Sequence, residues 1–113
     1  MTTSRAAAFT VASGATTSNQ LDIGLVNSGA RLVGLVIEGT IISTTLTFKV
    51  SADGTTYVTL KDQAGAAITI TVASATAVAF KQDVASQVGS WRFMQAIMGS
   101  TETNGATIIP VIL

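Results

Sequence analysis

The stretch LTFKVSADGTTYVTL, residues 46–60, decides the fold. Leu46, Phe48 and Val50 alternate with Thr47 and Lys49, the period-two pattern of a strand whose successive side chains point to opposite faces. Asp53-Gly54 then interrupts the run, and Tyr57, Val58 and Leu60 resume an extended, β-favouring segment. Asp-Gly between two such runs is the strongest short-range hairpin signal, because a tight turn needs positive φ and glycine supplies it at no steric cost. A calcium loop would need several more oxygen ligands at fixed spacing, and Ser51, Thr55 and Thr56 bring no carboxylates. Asp53-Gly54 therefore reads as a turn.

Outward from this hairpin the same alternation recurs. Phe9 and Val11, then Leu21, Ile23 and Leu25, then Ile68, Ile70 and Val72, then Val78 and Phe80 each alternate with small or polar residues. The segments 32–37 and 108–113 are almost continuously apolar, which predicts strands covered on both faces. Pro110 cannot donate to a ladder, so the last strand is expected at a sheet edge. Residues 90–98 predict a strand with Trp91, Phe93, Gln95 and Ile97 on one face and Arg92, Met94, Ala96 and Met98 on the other. Asp83 could cap a short helical turn over residues 83–88. Turn clusters between the strands recur at the spacing of about 10 to 15 residues typical of an all-β sandwich. The expectation is all-β: one antiparallel β-sandwich, jelly-roll-like, with 8–9 strands over residues 9–113, preceded by an N-terminal arm, residues 1–8.

Composition narrows the function. Charged residues are 11% of the chain, against roughly 25% in an average domain. Six basic and six acidic side chains cancel, so no long-range field attracts nucleic acid or anionic lipid. The longest uncharged stretch, residues 63–80, is broken by Gly65 and carries threonines at alternate positions, which is unlike a membrane span. The start of the chain is also a poor secretory signal. A neutral, hydroxyl-rich surface gives little protection against self-association, so a homo-oligomer is expected.

There is no histidine and no cysteine. That removes the commonest general base, the nucleophilic triads that depend on it, and thiolate metal sites. No spacing pairs two carboxylates on one strand face, so a glycosidase site has no basis. The inventory predicts a protein without catalytic residues, cofactor or metal.

The order of a strand ending in VSADG, a Tyr57 strand, an Asp62-to-Gly65 turn, ITITV and a further apolar strand, flanked by LVGLVIEGTI and WRFMQAIMGST, resembles small virion proteins of tailed bacteriophages. The likeness spans residues 24–101, and its motif residues Asp53, Gly54, Gly65 and Trp91 are scaffold positions. It implies a capsid cement or decoration protein, often a homotrimer, in the virion on the major capsid protein shell and made in the host cytoplasm. Candidate contacts with the shell are Thr2, Thr3, Ser4 and Arg5 of the arm. Candidate subunit contacts are Arg92, Met94, Met98 and Pro110, since Met and Arg are enriched at interfaces. The run Ser51, Asp53, Gly54, Tyr57 is also similar to a hairpin of discoidin-type carbohydrate-binding domains. The alternative it implies is a tail- or fibre-associated sugar-binding module with Asp53, Tyr57 and Trp91 around a shallow site.

Overall fold

A computed structural model of the chain describes residues 8–22, 32–81 and 91–112. Ten strands are present among these: β1 Phe9–Val11, β2 Ala15–Thr17, β3 Leu21–Asp22, β4 Leu32–Glu38, β5 Thr45–Ser51, β6 Val58–Thr59, β7 Ile70–Thr71, β8 Ala77–Ala79, β9 Phe93–Glu102 and β10 Ala106–Ile112. No helix occurs among the described residues. The count is ten rather than eight or nine, because short pairings such as β3 and β7 are too brief to leave an alternating signature.

The strands form two antiparallel sheets. One has the order β1-β10-β4-β8; in the other, β2-β9-β5-β6, β3 adds to β9 and β7 adds to β5. Between them lies one apolar core, the arrangement of a β-sandwich. The chain repeatedly passes from sheet to sheet, as from β4 to β5 and from β8 through β9 to β10. The alternation read from the sequence is what fills the core: Phe9, Val11, Leu46, Phe48, Val50, Ile70 and Met94 are all buried. Phe48 sits at the centre, with its ring 6.4 Å from that of Phe9 and 6.3 Å from that of Phe80. Each such side chain contributes about 1.5–3 kcal/mol by leaving water.

Strand β4 is central, as its continuous apolar character predicts, pairing with β10 on one side and β8 on the other. Strand β10 corrects the expectation for Pro110. It is flanked by β1 and β4, not at an edge, and Pro110 is buried opposite Leu35. Backbone direction explains the tolerance. Ile37 donates its N–H to Thr76, away from β10, so the facing Ile108 and its like-oriented neighbour Pro110 direct their nitrogens toward the β1 side. The described ladder with β1 ends at the Phe9 and Ile108 pair, so Pro110 removes no donor from it.

The methionine face of β9 is a second correction. Met94, Ala96 and Met98 point into the sandwich and are buried, so Met94 and Met98 fill this domain's own core instead of facing a neighbouring subunit. Strand β9 begins at Phe93 and runs on to Glu102, starting later and ending four residues beyond the 90–98 segment that the sequence predicts. The proposed helical turn at residues 83–88 and the arm residues Thr2, Thr3, Ser4 and Arg5 lie outside the described residues.

Candidate functional site

Asp53-Gly54 lies in the loop after β5, where the chain turns back toward β6. The loop covers residues 52–57 between β5 and β6, and is longer than a two-residue hairpin turn. Gly54 takes φ +82°, and the Asp53 carboxylate organises the rest. Its Oδ1 accepts the N–H groups of Thr55 at 2.8 Å and Thr56 at 3.0 Å and the Ser51 hydroxyl at 2.9 Å. The Ser51 oxygen in turn accepts the N–H of Gly54 at 2.9 Å. The Thr56 and Thr55 amides, with the Ser51 hydroxyl, hold the Asp53 pKa at about 2, so it remains ionised through the ordinary pH range.

This loop is docked against one end of the second sheet. Register places Asp22 of β3 and Ser51 of β5 on either side of Phe93 in β9. A Cβ on Gly54 would stand 3.3 Å from the Phe93 ring, so the absence of a side chain lets the loop lie on that ring. Arg92, one residue before β9, folds its guanidinium over Phe93, 4.7 Å from the ring centroid. It is held there by Asp22, whose carboxylate accepts from Nε at 3.0 Å and from Nη2 at 3.0 Å. Those bonds raise the Arg92 pKa further. The Tyr57 hydroxyl donates to Gln20 Oε1 at 2.7 Å. Burial, with the nearby charges of Asp22 and Asp53, raises the Tyr57 pKa.

The result is a compact patch in which Tyr57, Gln20, Asp22, Arg92, Phe93 and the Asp53 loop share one end of the sheet. Of the residues singled out in the sequence, Asp53, Tyr57 and Arg92 belong to it, and Trp91 adjoins it as an exposed side chain immediately before Arg92. Phe93 was legible only as a strand residue, and Asp22 and Gln20 carried no site signal in the sequence, because Asp22 and Arg92 are 70 residues apart and only strand register joins them.

At the opposite end of β9 stands a different group. Glu102 is 1% exposed, yet its carboxylate accepts the N–H of Ser43 at 2.8 Å and of Ile42 at 2.9 Å. Burial opposes its ionisation, but the hydrogen bonds from Ser43 and Ile42 outweigh it and lower the pKa. Among the described residues every buried polar side-chain atom has a partner, and no group of three or more acidic side chains is placed to hold a metal ion. Searches of family models, curated proteins and solved structures found no match to this chain.

Proposed function

We propose that the chain is a non-enzymatic structural protein of a tailed-phage particle, a cement or decoration protein that binds the major capsid protein shell as a homotrimer. The observation that carries this reading is where the acids go. Asp53 and Asp62 organise their own turns, Asp22 holds Arg92, and Glu102 fastens a loop, so ionisable groups serve rigidity. Ile42, Val58 and Val111 remain exposed as apolar contacts for a partner surface. A closed trimer would present three equivalent patches to equivalent shell surfaces, so modest contacts add to firm attachment.

The test is to mix the purified chain with phage shells that lack their decoration protein and image the particles. Density at symmetry axes, with saturable occupancy, is the expected result. A chain that stays monomeric and leaves every shell bare overturns the reading.

A further inference from the structure

We propose that the outer face of the four-stranded sheet is a self-association surface, on which a second copy of this chain packs face to face across a twofold axis. Leu35, Ile37 and Ile108 are buried in the core, so their alternate neighbours on β4 and β10 point away from it. Strand register joins those neighbours to the outward side of β8 in two rows: Ile109, Val36 and Ala77 stand side by side, and next to them Val111, Gly34 and Ala79. None of them is polar. Val111 is 42% exposed, Ala77 and Ala79 are exposed, and Val36 and Ile109 are half-buried, so the rows form a contiguous apolar patch that meets solvent. Strands β4 and β10 hold the two nearly unbroken apolar runs that predict cover on both faces; the core covers one face, and no described residue covers the other.

Charge at the two ends of the patch selects the partner. Glu38 ends β4, and Lys81 follows Ala77 and Ala79 in the same alternation just past β8; both are exposed, and neither forms an ion pair among the described residues. Because β4 and β8 are antiparallel with Gly34 opposite Ala79, the acid and the base lie at opposite ends of the strands. A twofold axis lying between two such faces and running across the strands brings each Glu38 over the end that carries the other copy's Lys81. The face is therefore complementary to itself. Stacking with like ends aligned would instead set Glu38 near Glu38. Gly34, Ala77 and Ala79 add little bulk, which lets the sheets approach to the spacing of about 10 Å usual for sheet packing. Three strands about 4.8 Å apart and about six residues long make a patch on the order of 300 Å² per copy, small for a permanent dimer, so the contact is reversible and strengthens where many copies are held together. This twofold contact does not depend on the phage reading, and it leaves the rest of the surface open to a threefold one.

The full-length protein is followed by sedimentation and by its backbone amide resonances from about 10 μM to about 1 mM. The sedimenting mass should double as concentration rises, and the amides that shift should centre on Val36, Ala77, Ala79, Ile109 and Val111. Val111→Lys, a change at an exposed position, should weaken association about tenfold at unchanged melting temperature. Glu38→Lys and Lys81→Glu should each weaken it about threefold, whereas the two together should restore the parent's affinity, since the exchanged charges again oppose one another. Should Val111→Lys fail to fold, the charge exchange decides. A mass that stays constant up to about 1 mM overturns the proposal. So do shifts that map away from this face, a Val111→Lys variant that associates like the parent, or a double variant no better than either single one.

Discussion

Glu102 accepts the backbone N–H of Ser43 at 2.8 Å, across 59 residues of chain, and so fastens the connection between β4 and β5 to the far end of β9. The Ser43 hydroxyl completes the link by donating to the Ser100 carbonyl at 3.0 Å and accepting the Ser100 N–H at 3.1 Å. From the turn between β7 and β8, the Ser74 hydroxyl accepts the Ile41 N–H at 2.8 Å. A segment that would otherwise leave buried donors unpaired is thus satisfied by one carboxylate and two serines.

Glu102→Gln should therefore destabilise the fold by about 2 kcal/mol, because an amide oxygen cannot serve both amides as well and its NH2 group faces donors. Urea denaturation at neutral pH checks this through a lower midpoint at unchanged slope. A midpoint equal to that of the parent would mean that the loop does not depend on the carboxylate.

Acid should weaken the fold through the same residue and through Asp53. Both pKa values are lowered by folding, Asp53 from 3.8 to about 2, so folding favours the ionised forms. Their contribution is complete above the unfolded-state values and is lost as pH falls through the folded ones. Melting temperature should be flat above about pH 5 and decline steadily below about pH 4. In Asp53→Asn the decline should be shallower, and a parallel curve would show that Asp53 is not linked to folding.

How much of this was legible beforehand depends on the range of the interaction. Phe9, Val11, Leu46, Phe48 and Val50 were read correctly as inward-facing, because period-two alternation is written locally in the chain. The structural role of Asp53-Gly54 was legible for the same reason, although the Ser51 and Asp53 bonds that widen the turn into a loop were not. Pro110 misled because its missing N–H argues for an edge, whereas the backbone points that nitrogen beyond the end of the short β1 ladder. Met94 and Met98 shared a strand that is apolar on both faces, where sequence cannot say which face is inside. The Asp22 to Arg92 and Glu102 to Ser43 pairs exist only through register between distant strands, which no spacing rule encodes.

Two loop glycines should respond differently to the same change. Gly54 and Gly65 both have positive φ, +82° and +92°, so alanine strains the backbone at each by about 1 kcal/mol. At Gly65 the new methyl meets nothing within 4 Å, whereas at Gly54 it stands 3.3 Å from the Phe93 ring. Gly54→Ala should therefore cost more than Gly65→Ala in thermal denaturation, and it should also shift the Phe93 ring resonances. Equal costs would show that the loop does not rest on Phe93.

Arg92 and Asp22 form a close pair, but Arg92 is 52% exposed. Exposed pairs contribute at most about 1 kcal/mol and are screened by salt, so Arg92→Ala should barely alter the melting temperature at physiological ionic strength. A loss comparable to that of Glu102→Gln would mean that the Arg92 stem, packed over Phe93, matters more to folding than its charge.

Phe48 tests the sandwich itself. It belongs to β5 in one sheet, while Phe9 belongs to β1 in the other, and their rings meet at 6.4 Å with Phe80 at 6.3 Å on another side. Truncation to alanine removes the contact that bridges the sheets and leaves a cavity, a loss of about 3–5 kcal/mol. Domains of this size are stable by about 5–15 kcal/mol in total, so Phe48→Ala could leave too little folded protein to measure. Phe48→Leu keeps the apolar contact while removing the ring, and should lower stability by about 1–2 kcal/mol with near-native circular dichroism. Thr47, next in the strand and facing away from the core, is the control: Thr47→Ala should change stability by no more than about 0.5 kcal/mol. If Thr47→Ala proved the more damaging of the two, the inward and outward faces of β5 would have to be exchanged, and the sandwich rebuilt around the opposite register.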